Sequence, residues 1–205
     1  MTSTLPPGCL PAPRDDLCLD FANTRYWRGS AVATETLNAP SDLLDWAAAS
    51  GGADPGIVAA LRQRWSDDPG EAASGLAQAL RWREAVYAVV AAMTDAADPA
   101  AGDLAALNDA LTSAPARGRV QRLDGRFAWA VPAAAGIEAL LAPVLWSAGD
   151  LLTGGRLARV RRCANDKCRW VFLDDSKSAN RRWCSMSACG NRAKAHRHYV
   201  RRKQG

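Results

Sequence analysis

Four cysteines, Cys163, Cys168, Cys184 and Cys189, fall as two CxxxxC pairs with fifteen residues between them. Zinc takes four ligands in a tetrahedron, and thiolates paired on two short loops supply them two at a time. A shell filled by four thiolates keeps no position open for water, so the ion it holds is structural rather than catalytic. One Zn²⁺ is therefore the expected cofactor. His196 and His198 also carry imidazoles able to bind zinc, but four cysteines already complete the shell. The competing readings are two disulfides or four unrelated buried thiols. Against both, the segment MTSTLPPGCLPAPRDD has neither a basic start nor an apolar run, so no export signal is expected and the location is read as cytoplasmic.

The cysteines sit in the most basic part of the chain. Residues 1–155 hold 11 Lys and Arg against 18 Asp and Glu, a balance of −7, whereas residues 156–205 hold 15 against 3, a balance of +12. Four thiolates with one Zn²⁺ contribute −2, which is too little to account for the excess. A concentrated positive field attracts a phosphate backbone through Coulomb attraction and counterion release, so nucleic acid is the leading partner, ahead of an acidic protein surface, an anionic lipid surface or plain solubility. Arg181, Arg182, Arg192, Arg197, Arg201 and Arg202 are the candidates for phosphate or base-edge contacts, because guanidinium forms paired hydrogen bonds to both. Lys194 and Lys203 add charge, and His198 is expected to face a partner or solvent. Trp170 and Trp183 either stack on unpaired bases or pack the small core of the module; packing is the reading preferred.

These residues need elements to position them. The fold expected is mainly α with a small β-hairpin, followed by an α+β module similar to a treble-clef zinc finger. Ser41 is expected to cap a short helix, and Asp54-Pro55 to open a second. Residues 72–96 have near-helical spacing of Leu76, Leu80, Val86, Val89, Val90 and Met93, interrupted by Gly75. Asp98-Pro99 is expected to open a helix with Leu104, Leu107 and Leu111 on its buried stripe. Asp124-Gly125 suits the turn of a hairpin spanning residues 119–131. Helical character returns over residues 133–153, where Pro143 kinks or divides the helix, and Gly154-Gly155 marks a hinge. The division is then 1–155, a helical domain, and 156–205, the basic module. In the module, RWVFL (169–173) is expected to pair with RRWC (181–184), and a helix over 188–203 to carry Cys189 in its first turn. Cys189, Ala193, His196 and Val200 recur on one face of that helix, toward the metal. No apolar run is long enough to cross a membrane.

The stretch RRCANDKCRWVFLDDSKSANRRWCSMSACGNRAKAHRHYVRRK resembles the CGNR zinc-finger family, whose namesake is Cys189-Gly190-Asn191-Arg192. Upstream, CLDFANT (18–24) and RWREAVYAV (81–89) resemble the ABATE domain that commonly precedes this finger. The resemblance implies a bacterial stress-response transcription regulator with a C-terminal DNA-binding finger.

Within CLDFANT, Asp20, Asn23 and Thr24 form a candidate site for a small-molecule effector, with Arg81 as a further candidate. Local turn chemistry is the competing and preferred reading, since such side chains commonly bond nearby backbone. Arg81, Arg83 and Glu84 pose the same choice between a structural ion pair and a hold on an anion. Trp46, Trp65, Trp82 and Trp146 line either a pocket or, as preferred, the core.

Asp174, Asp175, Asn191 and His198 are chemically capable, but no paired-histidine motif, phosphate-cradling loop or nucleophile signature accompanies them, so no enzymatic activity is expected. The competing function is a protein-interaction adaptor whose basic finger docks an acidic partner in the transcription machinery. A homodimer is also expected, because one finger makes few base contacts.

Overall fold

In a computed structural model of the chain, residues 6, 8–123, 125–131 and 135–204 are described, without the side chains of residues 196–198, 200, 201 and 204. Asp124 and Ala133 of the sequence reading lie outside these residues, as do the side chains of His196, Arg197, His198, Val200 and Arg201.

The N-terminal part is built around one long helix, α4 (Pro69–Thr94). Asp68 starts it: its Oδ1 accepts the backbone N–H groups of Gly70 and Glu71, both at 2.9 Å, and Pro69 occupies the first turn, where no donor is needed. Val86, Val89 and Val90 are buried along α4 and form the middle of the core, while Met93 is exposed. Gly75 does not interrupt the helix. It is a notch for the buried Trp65 ring, since a Cβ there would lie 2.6 Å from that ring.

Around α4 pack α1 (Leu17–Ala22), α2 (Pro40–Ala49), α3 (Pro55–Asp67), α5 (Ala101–Ser113) and α6 (Ile137–Leu140), and α7 (Ala142–Thr153) packs on α1, α5 and α6. Asp54 caps α3 as expected, accepting from Gly56 at 2.7 Å and Ile57 at 3.2 Å. Two other starts differ from expectation. Helix α2 begins before Ser41, because Asp42 reaches back to the N–H groups of Asn38 and Ala39, each at 2.8 Å. Helix α5 begins after Asp98-Pro99, with Ala100 as its cap residue, and buries Leu107 and Ala110 while leaving Leu104 exposed. Pro143 divides the late helical stretch into α6 and α7, because its missing N–H is harmless only near a helix start. Among the tryptophans weighed as pocket or core, Trp65, Trp82 and Trp146 are buried and Trp46 is half-buried.

Among the described residues, three small antiparallel sheets complete this part and the C-terminal module. The expected hairpin is β4 (Arg119–Leu123) with β5 (Arg126–Ala130), and Gly125 takes the left-handed φ of +79° that its turn requires. A strand not foreseen, β1 (Cys9–Leu10), extends this sheet along β5. A second pair, β2 (Arg25–Tyr26) with β3 (Thr34–Glu35), carries a loop over residues 27–33 that reaches the cysteine module. The third sheet pairs β6 (Val160–Arg162) with β7 (Val171–Leu173). The last helix, α8, spans Asn191–Gln204. Among the described residues no helix is long and apolar enough to cross a membrane.

Candidate metal centre and its basic surface

The first cysteine pair is held by the ends of β6 and β7. The Cys163 N–H donates to Trp170 O at 2.8 Å, closing a knuckle in which Cys168 and Arg169 both donate to Asn165 O. Arg169 takes a left-handed φ of +56°, which turns the chain back into β7. The second pair follows a different device. Ser185 Oγ accepts from Ala188 N–H at 3.3 Å, and its carbonyl accepts from Gly190 at 3.0 Å, winding Met186–Gly190 into a wide turn that delivers Cys189 just before α8.

Here the pairing read from sequence is corrected. Strand β7 pairs with β6, upstream of Cys163, and residues 181–184 form no strand. The buried Asp174 is the cause: its carboxylate accepts from the N–H and Oγ of Ser176 and, at 2.8 Å, from Arg181 N–H. That curls residues 174–181 into a closed loop and spends the Arg181 donor away from any ladder. These hydrogen bonds, the Ser176 hydroxyl foremost, hold the Asp174 carboxyl below its ordinary range against the opposing effect of burial. A single backbone bond, Ala164 N–H to Arg182 O at 2.8 Å, lays the returning chain beside the knuckle. Cys189 likewise falls in the turn before the helix rather than in its first turn.

The four sulfurs converge. All lie within 4.8 Å of one another, with Cys168–Cys184 at 3.7 Å and Cys184–Cys189 at 3.8 Å. A zinc–sulfur bond of about 2.3 Å places the corners of a tetrahedron about 3.8 Å apart, so the donor set and its spacing fit one zinc ion. No disulfide joins the six cysteines. Hydrogen bonds from Cys168 and Cys184 pull the Cys163 thiol below its usual range and raise those two donors in turn. Asn165 Nδ2 donates to Cys189 Sγ at 3.5 Å, a contact that orients a ligand from outside. Phe172 closes the small core over the sulfurs, with Trp27, Trp170 and Trp183 packed against it.

The surface around the centre is cationic, but its arginines are not equivalent. Arg181 braces the metal loop: its Nε donates to Trp183 O at 2.9 Å, a second nitrogen donates to Cys184 O, and its guanidinium lies 4.7 Å from the Phe172 ring. Arg182 is exposed beside the Trp183 ring at 5.3 Å, and Arg192 is exposed over Trp27 at 4.5 Å. Lys194, Arg202 and Lys203 are also exposed. The backbones of Arg197, His198 and Arg201 belong to α8.

The residues singled out in CLDFANT part company. Asn23 is buried and grips the β7 backbone: Nδ2 donates to Val171 O at 2.7 Å, and Oδ1 accepts Val171 N–H at 3.1 Å. Thr24 Oγ1 donates to Phe21 O at 2.8 Å and accepts from Arg83. Asp20 is exposed and paired with Arg14, yet it lines one cavity with Asn23 and Thr24. Arg81 is exposed on α4, bonded to Gln78, and does not join them. Its neighbour Arg83 is the buried one, with both Glu35 oxygens at 2.6 Å and Glu84 at 3.0 Å. Every guanidinium nitrogen of Arg83 has an internal partner, so none is left for a bound anion.

Several contacts tie the N-terminal part to the knuckle that sequence spacing could not reveal. Gly29 N–H donates to Lys167 O at 3.1 Å, Tyr87 OH to Arg169 O at 2.9 Å, and Arg162 pairs with Asp95 at 2.6 Å. Gly29 approaches so closely that a Cβ would lie 1.7 Å from Asp166 O.

Residues 15–155 match the ABATE family, described as "Putative stress-induced transcription regulator". The chain belongs to the ABATE family. Its residues 159–202 match the CGNR zinc finger, which accounts for the four gathered cysteines as a zinc site. In the ABATE domain the CLDFANT asparagine is thus the clamp that holds the finger's second strand. No curated protein matches the chain.

Proposed function

We propose that this ABATE protein is a cytoplasmic regulator that binds DNA through its zinc finger. Residues 1–155 sense or assemble, and residues 156–205 make the nucleic-acid contacts. The observation that carries this reading is the +12 balance of the module, displayed on exposed Arg182, Arg192, Lys194 and Arg202 around a rigid metal centre. Arg181 is exposed as well and keeps its place among the candidate DNA contacts, while two of its nitrogens also brace the metal loop. The reading contains no catalytic step: Asp174 is committed to Ser176 and Arg181, and Asp175 is paired with Arg156. A homodimer assembled through the ABATE domain would double the contact surface of a small finger.

The test is fluorescence anisotropy of zinc-loaded protein with duplex DNA across a salt series. Each lost phosphate contact lowers the log–log salt slope by about 0.9. Replacing Arg182, Lys194 and Arg202 together by Ala should weaken binding and flatten the slope while zinc content is retained. Unchanged affinity and slope would reject the reading, and partner capture that survives nuclease treatment would favour an acidic protein instead.

A further inference from the structure

We propose that a cavity of about 300 Å³, shared by the ABATE domain and the finger, binds a small organic ammonium ion. Its walls include three aromatic rings from separate parts of the chain: Tyr26 of β2, Trp46 of α2, and Trp170 of the knuckle. Tyr26 and Trp170 stand 5.0 Å apart, inclined at 58°, so they form adjoining walls and not a closed stack. Trp46 is anchored against Phe21 at 5.0 Å. Aromatic faces carry negative potential, and several around one space are the arrangement that attracts an alkylated ammonium group.

Charge points the same way. Asp20 is at the cavity with its side chain half exposed, and no lysine or arginine is among the lining residues. Arg14 pairs with both Asp16 and Asp20, so one guanidinium faces two carboxylates and a net negative charge remains. Segment 1–155, which supplies all the lining residues but Trp170, carries −7, but the finger carries +12, so the local carboxylates rather than the overall field must attract the cation. The hydroxyls of Thr24 and Thr36 are spent on backbone carbonyls, at 2.8 and 2.6 Å. One carboxylate supplies too few oxygens for Ca²⁺ or Mg²⁺, so an organic cation fits better than a metal. The volume is at the small end of ligand cavities, which limits the ligand to a few heavy atoms beyond the ammonium. Because Trp170 lies two residues after Cys168, an occupant touches the domain and the finger at once. This proposal is independent of the DNA reading.

Choline and its uncharged carbon isostere 3,3-dimethylbutan-1-ol separate attraction to the cation from plain apolar fit. Full-length, zinc-loaded protein without DNA is titrated with each at constant ionic strength, by calorimetry and by tryptophan fluorescence. Saturable choline binding with Kd of about 1 mM or tighter is expected, with the isostere at least about tenfold weaker. Tyr26→Leu and Asp20→Asn should each weaken choline about tenfold without altering thermal unfolding. Equal binding of the isostere, or no saturable response to choline at tens of millimolar, would overturn the proposal even if both variants misfold.

Discussion

Asn23→Ala should loosen the zinc finger from its support, and the size of the effect can be worked from two hydrogen bonds. Asn23 pairs with both the N–H and the C=O of Val171, at 3.1 and 2.7 Å, inside a buried region where Val171 is itself fully covered. Alanine removes both bonds and leaves two buried backbone groups without a protein partner. Each buried group left unpaired costs about 1–3 kcal/mol, which gives about 2–6 kcal/mol for the pair. Partial entry of water into the space left by the side chain favours the lower half of that range, about 3 kcal/mol. This is a large share of the stability of a typical domain. Urea unfolding of the zinc-loaded protein, followed by tryptophan fluorescence and far-UV circular dichroism, measures it. Asn23→Asp retains the acceptor but loses the donor and places a charge in the same buried space, so it should be at least as damaging. A loss below about 1 kcal/mol for Asn23→Ala would refute the clamp, and with it the structural reading of the CLDFANT asparagine.

Two further outcomes follow from other contacts. Gly29→Ala places a Cβ against the Asp166 carbonyl, which is backbone and cannot swing aside; a loss of about 1–3 kcal/mol and faster zinc release to a chelator are expected. Burial raises the Glu35 and Glu84 carboxyls, but the arginines beside them, Arg83 and Arg28, outweigh it and leave both below their ordinary range. Depressed values mean stability that is complete above the unfolded glutamate pKa of about 4.3 and is lost as pH falls through the folded values. Glu35→Gln should therefore lower stability at neutral pH and flatten the acid limb of a stability–pH profile, while an unchanged limb would contradict the ion-pair network.

What could be read from sequence was governed by local chemistry. The CxxxxC pairs located the metal centre because ligand spacing is a property of short loops. Asp54-Pro55 located a helix start because a cap needs only its own first turn. Local rules failed where a distant or competing partner decided the outcome. Ser41 lost the cap to Asp42, which lies one residue later and reaches two donors. RRWC lost its pairing with RWVFL because Asp174 took the Arg181 N–H and β6 was already in place beside β7. Strand β1 is two residues long and exists only through β5, so no periodicity announced it. The clamp by Asn23 and the close approach of Gly29 join residues far apart in the chain, and composition carries no trace of either. The basic surface was legible as charge, yet only the fold shows that Arg181, exposed like Arg182 and Lys194, also braces the metal loop.

The central claim is that four cysteines hold one zinc ion and thereby fix the basic module. Native mass spectrometry of the freshly purified, reduced protein tests it in one spectrum. The expected mass is that of one chain plus one zinc, with the metal absent from Cys184→Ser. A metal-free chain at full reduction, or a mass two or four units low from one or two disulfides, would contradict it.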